Sequence, residues 1–315
     1  MQVPACSLSS LTIFVLALSS KAALCRAEAI DVSYGQTYVT RDSGPLKADM
    51  YVPHSDGAHP AVLVVHGGAW SMGTRAQLAG VAKTLAEHGY TAAAISYRLA
   101  PKFQFPAQID DCKAAVRWLR SEAEKWKIDP QRIGGFGYSA GAQLVTLLGT
   151  TDAGDGLEGV ADPKQQPSTR LQCVVGGGTP SDFRTLPPNE RMLAFWLGGT
   201  PAEKPRQYQL ASPRAFVTAD DPPMFLFHGG SDELVPILSA EAMERSLKTA
   251  GIESELYVAK DLGHMAASMD RESLRRAFAF LDKYLKPTVA TDASAAKEAA
   301  EQIEGAFQES TGSIP

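Results

Sequence analysis

Short apolar runs alternate along the chain with longer segments in which apolar residues recur every three or four positions. The first pattern is typical of a buried strand, and the second of a helix with one buried face. Strands are predicted near residues 32–39, 46–52, 61–65, 91–96, 132–136, 171–175, 224–227 and 253–258. Helices are predicted at residues 76–87, 109–126, 143–148, 238–249 and 273–285. Repeated strand–helix units predict a mostly parallel sheet of about eight strands flanked by helices, with a site at the carboxyl ends of the strands.

One stretch, at about residues 177–222, interrupts this alternation. It carries several prolines and a single short helix candidate at residues 191–197. We expect this insertion to form a small lid over the carboxyl ends of the strands. Met192, Phe195 and Trp196 could line an acyl pocket beneath the lid, and plain packing inside the insertion explains them equally well.

A Gly-Tyr-Ser-Ala-Gly pentapeptide at residues 137–141 directly follows one of the predicted strands. A serine hydroxyl is a weak nucleophile unless a turn exposes it and a base takes its proton. Gly137 and Gly141 lie where a sharp strand-to-helix turn leaves no room for side chains. The motif therefore makes Ser139 a candidate nucleophile.

A His-Gly-Gly-Ala-Trp stretch at residues 66–70 follows another predicted strand. Small residues after a strand end can expose consecutive amides, and a carbonyl under attack needs such donors for its developing negative charge. We expect the amides of Gly68, Ala69 and Ala140 to form this oxyanion hole, with an ordinary glycine turn as the alternative. Trp70 either edges an acyl pocket or packs under the loop.

Two further loops after predicted strands supply an acid and a histidine. Asp232 lies in a His-Gly-Gly-Ser-Asp-Glu segment, and His264 follows a glycine near the end of the chain. The chain order serine, acid, histidine is the one found in the α/β-hydrolase arrangement. Here His264 is the candidate general base and Asp232 its partner. Glu233 and Asp261 are rival acids, although Asp261 is only three positions before the histidine.

Several other polar residues are interpreted as structural. His66 and His228 are expected to brace the two glycine-rich loops by hydrogen bonds. Arg98 with the acidic pair Asp110 and Asp111 is consistent with a buried polar link beneath the site or with surface pairing.

These motifs resemble those of the esterase/lipase group of α/β-hydrolases related to hormone-sensitive lipase, especially its small secreted carboxylesterase and feruloyl-esterase-like members. The resemblance covers roughly residues 31–286 and departs at Ala69, where many relatives have a third glycine. It implies an α/β-hydrolase fold and ester hydrolysis through an acyl-enzyme. Short- to medium-chain acyl esters, or acetyl and feruloyl esters of carbohydrates, are the implied substrates. A peptidase or amidase of the same fold is the alternative, and a binding protein that has lost catalysis is a third hypothesis.

Composition agrees with one catalytic domain. The chain has 315 residues, 44% of them apolar, and a formal net charge of −5. No basic tract appears, so a nucleic-acid partner is not expected. No cofactor is required by the expected reaction, and no Cys/His spacing predicts a metal site. Cys112 and Cys173 fall on separate apolar elements and are predicted to be buried thiols, with a disulfide as the alternative.

The two ends of the chain differ from its centre. An apolar stretch at residues 11–18 is too short to span a bilayer and is followed by a small-x-small site at residues 25–27. We therefore expect residues 1–27 to be a cleaved signal peptide of a secreted or periplasmic protein, with no stable membrane span afterwards. An uncleaved anchor is the alternative. Residues 28–286 would form the catalytic domain and residues 287–315 a flexible tail.

Overall fold

A computed structural model describes residues 29–159 and 162–286. The predicted signal peptide and the predicted flexible tail both lie outside the described residues. Within them, no helix combines the length and the apolar character needed to cross a membrane.

Eight strands form one sheet at the centre of the described part. In chain order they are β1 (Ile30–Arg41), β2 (Gly44–Pro53), β3 (His59–Val65), β4 (Thr91–Ile95), β5 (Ile128–Tyr138), β6 (Val174–Gly177), β7 (Met224–Gly229) and β8 (Ser254–Ala259). Their order across the sheet is β1-β2-β4-β3-β5-β6-β7-β8. Strands β3 to β8 pair in parallel, and β2 is antiparallel to both β1 and β4. This confirms the predicted mostly parallel α/β-hydrolase sheet.

The described residues also form eight α-helices. They are α1 (Ala79–Glu87), α2 (Ala107–Ser121), α3 (Ala140–Thr150), α4 (Ala194–Leu197), α5 (Pro205–Leu210), α6 (Leu238–Thr249), α7 (His264–Ala267) and α8 (Arg271–Leu285). Helices α1 and α8 pack in one apolar core, and α2, α3 and α6 pack in another. The sheet thus lies between two helical layers, as parallel strands require.

Strand β3 shows how the sequence builds these two cores. Ala61, Leu63 and Val65 belong to the core with α2, α3 and α6, whereas Val62 and Val64 belong to the core with α1 and α8. Successive side chains of a strand point to opposite faces, so a strand covered on both faces must be apolar throughout. This is why residues 61–65 of β3 form an unbroken apolar run.

Some predicted boundaries differ from the structure. The helix predicted at residues 109–126 ends at Ser121. It stops there because the chain then makes tight turns, in which Trp126 donates its backbone N–H to the Glu122 carbonyl and Lys127 has a φ of 51°. The strand predicted from residue 171 begins only at Val174. Helix α5 and the single turn α7 have too few residues to show a periodic apolar pattern.

The strand order reverses on either side of β3, whose neighbours are β4 and β5. Such a reversal opens a crevice at the carboxyl ends of the strands, where ligands bind in open α/β sheets. The loops after β3, β5, β6, β7 and β8 all end there. Between β6 and β7 the chain forms α4, α5 and a 3-10 turn at Pro213–Ala215 instead of a further sheet strand.

The first turn of α3 makes a close backbone contact with the end of β3. A Cβ atom added at Gly141 would lie 2.1 Å from the Val65 carbonyl oxygen and 2.5 Å from that of His66. An added Cβ would thus meet backbone carbonyl oxygens, which cannot move aside as a flexible side chain can. Gly80, in α1, has open space instead, with no atom within 4 Å of an added Cβ.

The two glycines provide a matched test. Gly141→Ala is expected to lower the free energy of unfolding by about 2–3 kcal/mol, because α3 must move away from β3. Gly80→Ala is expected to raise it by up to about 1 kcal/mol through better helix propensity. Urea unfolding of both variants and the native protein measures the two shifts. Similar small shifts in both variants would contradict the close contact.

Candidate active site

Ser139 lies in the one-residue turn between β5 and α3. Its backbone has φ 56° and ψ −122°, a left-handed φ that side-chain-bearing residues rarely adopt. The Ser139 amide donates to the Gly177 carbonyl at 2.7 Å, which anchors the turn to β6. A strained strand-to-helix turn of this kind exposes its serine hydroxyl at the top of the sheet.

The structure brings Ser139, His264 and Asp232 into one hydrogen-bonded chain. His264 Nε2 lies 2.9 Å from Ser139 Oγ, and His264 Nδ1 lies 2.6 Å from Asp232 Oδ2. The other carboxylate oxygen accepts the backbone N–H groups of Leu234 at 3.0 Å and Val235 at 2.8 Å. With Nδ1–H donating to the carboxylate, Nε2 is free to accept the serine proton. The three side chains thus form a chain of hydrogen bonds from a hydroxyl through an imidazole to a carboxylate.

Of the two rival acids, neither Glu233 nor Asp261 hydrogen-bonds the imidazole; the carboxylate within reach is that of Asp232. The reason is that Asp232 lies in the turn directly after β7, next to the loop after β8 that carries the histidine. Both loops leave the same edge of adjacent parallel strands.

A second buried histidine supports the acid loop. His228 Nε2 donates to the Val235 carbonyl at 2.8 Å and lies 3.3 Å from Asp232 Oδ2. Burial lowers the pKa of His228. The hydrogen bond to the Val235 carbonyl and the charge of Asp232 oppose this shift only in part. The ring is thus a neutral donor to the loop, as the sequence suggested.

Tyr138 links the serine turn to the histidine loop. Its hydroxyl donates to the backbone carbonyl of His264, and the two rings lie 5.2 Å apart. Burial, followed by the charge of Asp232, raises the pKa of Tyr138, which keeps the hydroxyl protonated as a donor. No local sequence signal predicts this hydrogen bond, because it joins residues 126 positions apart.

The glycine-rich loop after β3 passes directly beside Ser139. A Cβ added at Gly67 would lie 3.2 Å from Ser139 Cβ. Gly68 has φ 107°, and a Cβ there would lie 2.2 Å from the Met72 carbonyl oxygen. Ala69 has φ 48°, so the substitution of alanine for a third glycine keeps the left-handed backbone. The loop backbone can turn its amides beside the serine only because these positions are small.

The third predicted donor lies across the serine. Ala140 is the first residue of α3, where backbone N–H groups have no acceptor within the helix. Ala69 and Ala140 both border the cavity that contains Ser139 and His264. The arrangement can offer main-chain N–H groups to an oxygen bound at the serine.

His66, which opens this loop, does not border the cavity that contains Ser139 and His264. Its Nδ1 donates to the Gly67 carbonyl at 2.7 Å, and its ring stacks on Tyr97 with centroids 4.2 Å apart. The Tyr97 hydroxyl donates to the His66 carbonyl at 3.0 Å. Burial lowers the pKa of His66 to about 4, despite the opposing bond to Gly67. His66 is therefore neutral at pH 7 and braces the loop.

A cavity of about 490 Å³ opens at the serine and histidine. Its walls are mostly apolar and come from the loops after β3, β6 and β7 and from the insertion; they include Trp70, Phe183, Leu186, Met192, Leu193, Phe195, Val235, Pro236 and Leu238. Six of these were not among the sequence candidates: Phe183, Leu186, Leu193, Val235, Pro236 and Leu238. Their position just after strand ends or in the insertion was the available signal, shared with many residues that face elsewhere.

The structure contradicts one predicted substrate contact, Trp196. Its side chain is fully buried and does not border the cavity. It stacks behind Trp70 with ring centroids 3.6 Å apart and planes 4° apart, and it donates to Gln108 Oε1 at 3.0 Å. The shared stack leaves Trp70 as the ring at the cavity wall. Phe195, half-buried, borders the cavity.

The remaining predictions near the site concern cysteines, charges and metals. Cys112 and Cys173 are separate buried thiols, as predicted. Arg98 pairs in a bidentate fashion with the fully buried Asp111, which is the predicted buried link. Among residues 29–159 and 162–286, no group of three or more His, Cys, Asp and Glu side chains is arranged to hold a metal ion.

Comparison with known proteins yields a matching family and several relatives. The model of the BD-FAE family matches residues 48–247. The chain is 32% identical over 213 residues to the probable carboxylic ester hydrolase LipM of Mycobacterium tuberculosis, covering 64% of this chain and 48% of the relative. It is 35% identical over 154 residues to an ethyl acetate hydrolase of Pseudomonas putida, covering 48% and 46%. The chain thus spans about half the length of the curated relatives it matches.

A solved structure shares the fold. A truncated form of a carbohydrate esterase from gut microbiota superposes with a TM-score of 0.70 at 24% identity, covering 82% of this chain and 97% of the other. At this identity the likeness is one of architecture. It agrees with the eight-stranded sheet described above.

The buried His66 predicts a dependence of stability on pH. In the unfolded chain its pKa is near 6.5, and in the folded protein it is about 4, so between these values the unfolded state binds the extra proton. Stability is therefore lost as the pH falls through this window, and His66 contributes up to roughly 3 kcal/mol of that loss. His66→Gln should unfold in urea with a shallower decline between pH 6.5 and pH 4.

Other groups also titrate differently in the folded and unfolded states. The informative quantity is therefore the difference in unfolding free energy between the native protein and His66→Gln. His228 has the same sign as His66 and is present in both. Burial and the charge of Asp111 raise the pKa of Asp110 to about 6, and this acts with the opposite sign in both. Parallel curves for the native protein and the variant would show that His66 titrates normally in the folded state.

Proposed function

Because the chain belongs to the BD-FAE family of α/β-hydrolases, we propose that it is a serine hydrolase that cleaves carboxylic esters through an acyl-enzyme. The observation that carries the proposal is the hydrogen-bonded chain from Ser139 through His264 to Asp232, with contacts of 2.9 Å and 2.6 Å. The names of the relatives LipM and the ethyl acetate hydrolase agree with ester hydrolysis.

In the first step Ser139 Oγ attacks the ester carbonyl carbon while His264 Nε2 takes its proton. The imidazolium that forms is stabilised by Asp232, whose carboxylate accepts two backbone N–H groups and the Nδ1–H. The carbonyl oxygen becomes an anion as the carbon turns tetrahedral. Negative charge therefore develops on the carbonyl oxygen and positive charge on the imidazole. Main-chain N–H dipoles face the oxygen, and the Asp232 carboxylate faces the imidazole.

The main-chain amides of Gly68, Ala69 and Ala140 serve as donors to this oxyanion. The proximity of the Gly67 backbone to Ser139 and the free N–H groups at the start of α3 support this role. Each donor of this kind is worth about a hundredfold or more in rate. His264 then protonates the leaving alcohol, and water repeats the sequence on the acyl-enzyme.

The cavity supports short- to medium-chain acyl groups and acetyl or feruloyl esters of carbohydrates. About 490 Å³ accommodates a small ester or one aromatic acyl group, and the Trp70–Trp196 stack closes one wall rigidly. Polar side chains are few, so the apolar part of the substrate supplies most of the contact. Gln143 holds Trp70 by accepting its indole N–H at 2.9 Å.

The class of bond is tested by rates on a series of p-nitrophenyl esters from acetyl to palmitoyl, beside a peptide p-nitroanilide. We expect kcat/KM to be highest for the short and medium esters and to fall for palmitoyl, because the rigid aromatic stack forms one wall of the cavity. Anilide turnover comparable to ester turnover would instead favour a peptidase or amidase.

The assigned roles are tested by replacing two histidines of the same region. His264→Ala and Ser139→Ala are each expected to lower kcat by roughly four to six orders of magnitude, since both remove the activated nucleophile. His66→Ala should retain measurable activity, because its ring only braces the loop. Circular dichroism verifies that all three variants are folded. Equal losses in His66→Ala and His264→Ala, both folded, would contradict the assignment.

A further inference from the structure

One charged pair interrupts the apolar wall of the cavity. Apart from His264, the charged side chains among the described residues that border the cavity are Asp182 and Arg214. Asp182 lies in the loop after β6, and Arg214 lies in the 3-10 turn at Pro213–Ala215. Charged groups are rarely placed at an apolar surface without a partner or a ligand.

Asp182 is shared between two arginines unequally. Arg184 contacts both carboxylate oxygens, with Nε 2.8 Å from Oδ1 and Nη2 2.7 Å from Oδ2. Arg214 reaches only Oδ2, at 3.1 Å through Nη1. Burial acts to raise the pKa of Asp182, but the hydrogen bonds and charge of Arg184, aided by Arg214, hold it below its usual value. Two cations thus share one carboxylate, so the three groups together carry one excess positive charge.

The guanidinium of Arg214 is nevertheless fixed in position. Its Nε donates to Ser246 Oγ in α6 at 2.9 Å, and its backbone N–H donates to the Ser181 carbonyl at 3.0 Å. The remaining nitrogen, Nη2, has no hydrogen-bond partner among the described residues. About 35% of the side chain is exposed, at a place that borders the cavity. An oriented cation with unused N–H groups is therefore accessible from the site.

We infer that Arg214 is a specificity-determining residue that binds a carboxylate carried by the ester substrate. This inference rests on the proposed function and names its substrate class: esters with an apolar body that fills the cavity and a carboxylate away from the scissile bond. A guanidinium offers parallel N–H donors to a carboxylate, and the low-dielectric wall strengthens the pairing relative to open water. The carboxylate belongs either to the acyl half or to the alcohol half of the ester.

Two matched substrate pairs distinguish these halves. For the acyl half, p-nitrophenyl hemiadipate is compared with its neutral methyl ester. For the alcohol half, p-acetoxybenzoate is compared with p-acetoxybenzamide. In one pair we expect the native protein to show a kcat/KM about tenfold higher for the charged member, the size typical of a hydrogen-bonded charge pair. The pair that shows the preference identifies the half that carries the carboxylate.

Two substitutions of opposite effect separate binding from structural damage. In Arg214→Gln the ratio of kcat/KM for the charged and neutral members should fall about tenfold, chiefly through KM. In Asp182→Asn the same ratio should rise, because the competing carboxylate has lost its charge. A purely structural role would leave the ratio unchanged in both variants, since both substrates would suffer equally. Arg214→Lys should restore part of the preference.

Arg245→Gln is the matched control for net charge. Arg245 is an exposed residue of α6 that pairs with Glu241 at 3.7 Å and does not border the cavity. Its substitution removes the same unit charge from the molecule and is expected to leave the ratio unchanged. A fall equal to that of Arg214→Gln would assign the preference to the overall field and overturn the inference.

The outcomes separate this inference from the proposed function. Hydrolysis of all four esters without preference for either charged member overturns the carboxylate site and leaves the serine esterase standing. Failure of the native protein to hydrolyse any ester overturns both. A preference lost in Arg214→Gln and strengthened in Asp182→Asn supports the site.

Discussion

The backbone contact between α3 and β3 is the constraint on which the candidate site depends. Because Gly141 has no side chain, the first turn of α3 lies against the Val65 and His66 carbonyls. Because Gly67 has none, the loop after β3 lies against Ser139. Because these contacts are between main-chain atoms, the turn at Ser139 and the glycine-rich loop after β3 hold each other in position. Stabilisation of a developing charge requires donors that do not reorganise, and rigid backbone contacts provide them.

The three buried histidines around the site differ mainly in their acceptors. His66 donates to the Gly67 carbonyl and stacks on an aromatic ring, and His228 donates to the Val235 carbonyl. Burial lowers the pKa of both, and these hydrogen bonds oppose the shift only in part. His264 alone of the three has a carboxylate at 2.6 Å on one nitrogen and a hydroxyl at 2.9 Å on the other. A neutral carbonyl fixes a ring but cannot balance a new positive charge, and the Asp232 carboxylate lies farther from His228, at 3.3 Å, than from His264. Of the three rings, His264 therefore has the contacts that the proposed general base needs.

Much of this arrangement is predictable because its signals are local. Loops after strands carry Ser139, Asp232 and His264, and parallel strands bring those loops to one edge of the sheet. Apolar periodicity shows that a face is buried but does not identify its neighbour. That is why the sequence allows Trp196 either at an acyl pocket or in plain packing, and only the structure places it behind Trp70. For the same reason Arg214 gives no signal in the sequence. The early end of α2 depends on turns that tertiary packing selects.

The placement of Arg214 follows from two opposing electrostatic costs. A lone guanidinium on an apolar wall loses hydration without compensation. A carboxylate paired with Arg214 alone would cancel the charge that a ligand could use. Sharing Asp182 with Arg184 avoids both extremes, since the carboxylate orients Arg214 at 3.1 Å while its stronger bonds go to Arg184. The wall beside it is rigid, because Gln143 and Gln108 hold the stacked indoles of Trp70 and Trp196. A fixed cation beside a fixed apolar surface is suited to a substrate that combines an apolar body with one negative group.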